Sequence, residues 1–245
     1  MPAAADRIIE VRKLTKTFGL NPVLRGLDLD VPRGQFLTLL GPNGSGKTTL
    51  LRILGALARP TGGTVRIGGW DLPAEAEFVR AQLGVVSHQP LLYDTLTAEE
   101  NLLFFARLYH LPRETRRARV AEVLERVGLA RRARDVVQTY SRGMQQRLAI
   151  ARAILHNPAI LLLDEPYTGL DQDAAAVLDD LLHQVATEGR TVIMTTHDLR
   201  RGHALADRIA ILSRGQIVFD APCREIDPDA LPALYADVTG AVTTR

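Results

Sequence analysis

A single cysteine, Cys223, stands among 245 residues, so the chain closes no disulfide within itself and suits a reducing compartment. The N-terminal MPAAADRIIEV lacks an apolar core of secretory length. No later segment approaches the ~20 apolar residues that a spanning helix needs, so a soluble chain is expected. An excess of one charge is missing too. The 30 Lys+Arg stand against 28 Asp+Glu, a net +2 that excludes a strongly basic polymer binder. Lysine is nearly absent, with only Lys13, Lys16 and Lys47, so a lysine kept where arginine is the habit draws attention. What is plentiful is apolar surface: 46% hydrophobic residues over this length suffice for a globular core without staples.

Residues 8–12 and 23–31 alternate apolar and polar side chains around a turn from Gly19 to Pro22, the pattern of antiparallel β structure. Phe36 to Leu40 is a continuous apolar run that stops at a glycine-rich loop and resumes at helical spacing as Leu50, Leu51, Leu54 and Leu57. From about Thr97 to His156 the signals are helical. Thr97 with Glu100 reads as a capping box, and Val120, Val123, Leu124 and Val127 form one face ending at Gly128. Ile160 to Leu163, Thr191 to Thr196 and Ile209 to Leu212 then alternate with a helical stretch around 173–187, which predicts a parallel sheet with crossover helices. Beyond Pro222 the chain carries Pro228 and Pro232 and shows little periodicity.

Gly41-Pro42-Asn43-Gly44-Ser45-Gly46-Lys47-Thr48 fits G-x-x-x-x-G-K-[ST] in full, between a predicted strand and a predicted helix. Glycines let successive backbone N–H groups turn inward on phosphate oxygens, and the helix points its positive dipole end at the same anion. Lys47 is then a point cation for β/γ-phosphate charge, Thr48 offers a hydroxyl to Mg²⁺, and Thr49 completes the nucleotide contacts. The apolar strand Ile160 to Leu163 ends in Asp164-Glu165, at the carboxyl edge where a parallel sheet places its ligands. Asp164 is expected to support Mg²⁺, and Glu165 to polarise a water attacking the γ-phosphorus.

With these two motifs in hand, the order of the rest resembles the ATP-binding subunit of an ATP-binding-cassette (ABC) transporter. The resemblance spans about Ile8 to Pro222. It implies an α/β fold: a P-loop NTPase ABC cassette with a RecA-like core, an antiparallel β subdomain and a helical insert at about 90–156. Residues 223–245 are left as a C-terminal extension without an assigned role. Tyr140-Ser141-Arg142-Gly143-Met144-Gln145-Gln146-Arg147 resembles the family signature, used in trans between two subunits. It departs from LSGGQ at Tyr140, Arg142 and Met144, and keeps Ser141 and Gly143 as the γ-phosphate contacts. An ordinary serine-capped helix is the competing reading.

The resemblance also implies that Gln89 approaches Mg²⁺ and the attacking water, that His197 contacts the γ-phosphate, and that Asp171 of Gly169-Leu170-Asp171 crosses a dimer interface. Phe18 matches the aromatic that stacks on adenine, against the alternative of a core aromatic. Implied cofactors are ATP and Mg²⁺. None of His88, His110, His156, His183 or His203 has paired spacing with cysteine, so no further metal is expected.

Implied partners are transmembrane permease subunits and a second ATP-binding subunit, most simply a homodimer, with the chain peripheral on the inner, cytoplasmic face of the cell membrane. Within the family, the stretches around Gln89, Ser141 and Asp164 resemble the haem-exporter subunit of cytochrome c maturation, and drug- and polysaccharide-exporting cassettes share nearly all of them. A DNA-repair ATPase fits less well, because 117 positions separate Lys47 from Asp164 with no long coiled coil between. A nonhydrolytic scaffold is disfavoured by Lys47, Glu165 and His197. The arginines of 113–119 and 131–134 lack interleaved aromatics, so direct nucleic-acid binding is not expected.

Overall fold

The computed structural model describes residues 7–240. Among the described residues, ten strands form two sheets. The first is antiparallel, in the order β2-β1-β4-β5, from Arg7–Phe18 (β1), Asn21–Pro32 (β2), Gly62–Ile67 (β4) and Trp70–Leu72 (β5). The alternation at 8–12 and 23–31 therefore yields the expected hairpin, with Phe18 paired to Asn21 across its turn. The second sheet has the order β10-β9-β3-β8-β7-β6. Its strands are Phe36–Leu40 (β3), Leu83–Val86 (β6), Ile160–Asp164 (β7), Thr191–Thr195 (β8), Arg208–Ser213 (β9) and Gln216–Pro222 (β10). All its pairings are parallel except β9 with β10.

Strands β3, β7 and β8 are buried along their whole length, as a parallel sheet covered on both faces requires. The period-two alternation of β7 divides the core. Leu161 and Leu163 join the cluster beneath the helical region, while Ile160 and Leu162 join the one shared with the antiparallel sheet. Helix α1 (Lys47–Leu54) buries Leu50, Leu51, Ile53 and Leu54 in that second cluster. It ends at Gly55, earlier than the leucine spacing predicts, and leaves Leu57 exposed.

A short helix, α2 (Ala76–Ala81), precedes β6. The helical region holds α3 (Ala98–Leu108), α4 (Arg113–Arg126) and α5 (Arg142–Ile154). Thr97 and Glu100 form the expected capping box on α3, and Val120, Val123 and Leu124 are the buried face of α4. Arg152 of α5 donates to the carbonyls of Val85 at 3.0 Å and Leu91 at 2.9 Å, tying the helical region to β6. Helices α6 (Gln172–Thr187) and α7 (Leu199–Leu205) flank β8 in the chain.

The stretch beyond Pro222 is not featureless. Helix α8 (Leu231–Thr239) carries Pro232 in its first turn, where a missing N–H costs nothing. Leu231, Leu234, Tyr235 and Val238 pack it against a third cluster with Ile209, Ile211 and Cys223. Burial raises the Cys223 thiol pKa to about 11, so the side chain is a small apolar core group. Among the described residues, no helix is long and apolar enough to cross a membrane.

Candidate functional site

The loop between β3 and α1 is shaped by contacts that only glycine permits. A Cβ on Gly41 would lie 2.2 Å from the carbonyl oxygen of Leu212, and Gly46 caps α1 in a left-handed conformation at φ +111°. The loop thereby wraps the N-terminus of α1, where unpaired N–H groups and the helix dipole favour an anion. Lys47 folds back along it, and its ammonium donates to the carbonyls of Gly41 at 2.6 Å and Pro42 at 3.2 Å. Burial lowers the Lys47 pKa, and Glu165 and Asp164 oppose that shift. Ser45 Oγ is buried without a hydrogen-bond partner, an orphaned donor in the cradle.

Ser45, Gly46 and Lys47 line a cavity of about 420 Å³ together with Asn43, Gly44, Thr48 and Thr49 of the same loop and helix, Glu165 from the end of β7, and Asn21 and Val23 from β2. Asp164, at the end of β7, is 7% exposed. Its Oδ1 accepts from Thr195 Oγ1 at 2.8 Å and from Thr48 Oγ1 at 3.2 Å. A hydroxyl and a carboxylate meeting at the mouth of an anion cradle are the hard oxygen donors that Mg²⁺ takes beside a phosphate.

Glu165 has φ +51°, a left-handed backbone that costs a non-glycine residue energy and persists only when its surroundings hold it. Its N–H donates to Thr195 Oγ1 at 2.9 Å and to the Thr195 carbonyl at 3.2 Å, so β8 fixes the turn. The Glu165 carboxylate then meets His197, with Oε2 and Nδ1 2.8 Å apart. An ionised Glu165 accepts from Nδ1–H, which places a basic oxygen beside the cavity and fixes the ring's orientation.

Other residues singled out from the sequence stand elsewhere in one chain. Ser141 caps α5, its Oγ accepting from the Met144 N–H at 3.3 Å, and Gly143 lets α5 approach α6, where a Cβ would lie 2.7 Å from that of Ala174. Asp171 caps α6 through the N–H of Ala174 at 2.8 Å. None of these three lines the cavity, nor does the exposed Gln89. Phe18 is 54% exposed at the end of β1, which rules out the core-aromatic reading. The Lys16 ammonium sits 4.7 Å from its ring centroid. Sequence reasoning missed Asn21, Val23 and Thr195. The only signal for Thr195 was a polar residue at the end of an apolar strand.

A family model described as ABC transporter matches residues 24–168. The daunorubicin resistance ATP-binding protein of Streptomyces coeruleorubidus is 40% identical over 91% of this chain and 70% of its own length. The Nod factor export ATP-binding protein I of Paraburkholderia xenovorans is 38% identical over 98% and 75%. The linearmycin resistance ATP-binding protein of Bacillus subtilis is 34% identical over 86% and 68%. Among solved structures, a dimeric ATP-binding cassette in a post-hydrolysis state bound to ADP and Pi superposes with TM-score 0.80. It is 33% identical, and the match covers 88% of this chain and 99% of that one. An ATP-binding subunit of an ABC transporter gives 0.85 at 29% identity, over 95% and 99%.

Proposed function

The chain belongs to the ABC transporter family as an ATP-binding, ATP-hydrolysing subunit that dimerises and works with transmembrane permeases, and from that premise we propose that it powers an exporter of drug-like or polysaccharide molecules. The relatives above carry drug-resistance and Nod-factor-export names, and these favour the exporter alternative over haem export. Haem export has no counterpart among them. The chain would sit peripherally on the cytoplasmic face of the membrane, its helical region against the permease.

The observation that carries the mechanism is the Glu165–His197 contact at 2.8 Å beside the cavity that holds Lys47. In this reading the loop N–H groups and Ser45 Oγ bind the β- and γ-phosphates and Lys47 neutralises their charge. Phe18 stacks on adenine. Glu165 takes the proton of the attacking water, while His197 orients that carboxylate and faces the γ-phosphate. Thr48 and Asp164, which meet at 3.2 Å, would hold Mg²⁺, and the ion would draw charge from the phosphate oxygens; Gln89, exposed and outside the cavity in this state, would have to move in to join them. Ser141, Gly143 and Asp171 stay outside the cavity of their own chain, which fits their use in trans. There the partner's Ser141 hydroxyl and helix α5 N-terminus would cover the γ-phosphate that this chain leaves open.

Closure of two chains around two nucleotides then moves the permease, because nucleotide favours the closed state over the open one. The test is to purify the chain with the membrane polypeptides that accompany it, and to measure phosphate release while vesicles are loaded with an amphipathic drug, a polysaccharide or haem. ATP-dependent uptake of haem alone would reverse the cargo assignment. Nucleotide binding without phosphate release would remove Glu165 as the base.

A further inference from the structure

Tyr167, two residues past Glu165, and Arg201, four past His197, belong to a polar cluster that the mechanism above leaves unused. Tyr167 is 8% exposed, and its hydroxyl donates to Asp179 Oδ1 at 2.6 Å. Burial, and then the bond to Asp179, raise the phenol's pKa far above its usual range, so it stays a donor. The other Asp179 oxygen, Oδ2, accepts from Arg201 Nε at 3.2 Å, and the Arg201 guanidinium lies 4.9 Å from the centroid of the Tyr167 ring. Arg201 belongs to the first turn of α7. Its backbone N–H donates to the capping carboxylate of Asp198 at 3.0 Å, one residue beyond His197. A single carboxylate on α6 thus grips both the turn that carries Glu165 and the helix that follows His197.

The Arg201–Asp179 pair, with each side chain 28% exposed, adds little to stability by itself, and the Tyr167–Asp179 bond stabilises the fold without explaining why one carboxylate joins these two particular elements. Placement does account for it, because Glu165 sits on a strained backbone and meets His197 through one hydrogen bond. In such a pair a displacement of about 1 Å costs on the order of 10²-fold in rate.

We infer that Asp179 is a positioning residue for ATP hydrolysis, holding Tyr167 and Arg201 so that Glu165 and His197 stay in register. This rests on the roles assigned to those two residues under the proposed function.

The test uses the full chain with Tyr167→Phe, Asp179→Asn, Arg201→Gln and the Tyr167→Phe/Arg201→Gln pair. It reads kcat, KM for ATP, melting temperature and the ring ¹⁵N resonances of His197. Tyr167→Phe keeps the ring's packing, so it folds even where a change at Asp179 does not. Expected is a kcat lower by about tenfold or more in Tyr167→Phe and in Asp179→Asn, with KM within about twofold and a shifted His197 Nδ1 resonance. The paired variant should be no slower than Asp179→Asn alone, since both routes pass through one carboxylate. Wild-type kcat in Asp179→Asn, or losses in kcat, KM and melting temperature that move together in every variant, overturn the inference. An unmoved His197 resonance does the same. A wild-type chain that releases no phosphate, while Asp179→Asn still shifts that resonance, refutes the hydrolytic reading and with it the catalytic purpose of the positioning, leaving only the structural link from Asp179 to His197.

Discussion

Thr195 Oγ1 lies 2.8 Å from Asp164 Oδ1, so one buried hydroxyl joins the ends of β8 and β7 beneath the site. The same oxygen accepts the N–H of Glu165 at 2.9 Å. Thr195→Val keeps the shape and takes one of two partners from each group, leaving Asp164 Oδ1 with Thr48 and the Glu165 N–H with the Thr195 carbonyl. The expected result is a loss of about 1–3 kcal/mol in urea unfolding together with slower turnover, both recovered in Thr195→Ser. An unfolding midpoint equal to wild type would show that this hydroxyl is dispensable.

Glu165→Gln keeps the side chain's size and removes its basicity. Phosphate release should fall by about 10²–10⁴-fold while nucleotide still binds, and light scattering with ATP should find the dimer accumulating. Normal turnover would move the base elsewhere.

Lys47→Ala separates binding from folding. The wild-type chain should melt at a higher temperature as ATP is added, because nucleotide binds the folded state alone. In the variant that rise should vanish. Its ligand-free melting temperature should change little, since losing the bonds to Gly41 and Pro42 is offset by no longer burying an ammonium.

His156 should give the chain part of its acid sensitivity. Burial lowers its pKa from 6.5 to about 4, outweighing the bond to the Leu83 carbonyl. Above pH 6.5 neither state holds the proton. Between 6.5 and about 4 the unfolded chain takes it up and the folded chain does not, so stability falls as the pH drops. The whole window is worth about 3 kcal/mol, and below it the contribution is constant. Unfolding measured from pH 7 to 4 should show a shallower decline in His156→Gln than in wild type.

Gly84→Ala tests how closely β6 meets α5. The added Cβ would lie 2.3 Å from the Ala153 carbonyl oxygen and 2.5 Å from a Leu161 methyl, so backbone must move. A loss of about 1–3 kcal/mol is expected in urea unfolding, and a neutral result would mean that α5 shifts freely on the sheet.

The phosphate loop, the strands β3, β7 and β8 and the capping box at Thr97 were all legible because each is written in consecutive or regularly spaced residues. Helix α8 was written there as well, in Leu231, Leu234, Tyr235 and Val238, yet Pro228 and Pro232 masked it because a proline in the first turn reads like a breaker. Leu57 erred in the other direction: it continues the leucine spacing of α1 in sequence, but the helix has already closed at Gly55.

Local chemistry settled the cradle. A glycine's access to left-handed backbone and a helix's exposed N–H groups are properties of neighbouring residues, and they survive whatever the rest of the chain does. The contacts of Thr195 with Asp164, of Glu165 with His197 and of Tyr167 with Asp179 and Arg201 join positions 12 to 34 residues apart. They exist because parallel register sets β8 beside β7 with Asp164 opposite Thr195 and because α6 packs near α7. Register and packing follow from burying apolar faces over the whole domain, and no short stretch of residues carries that information.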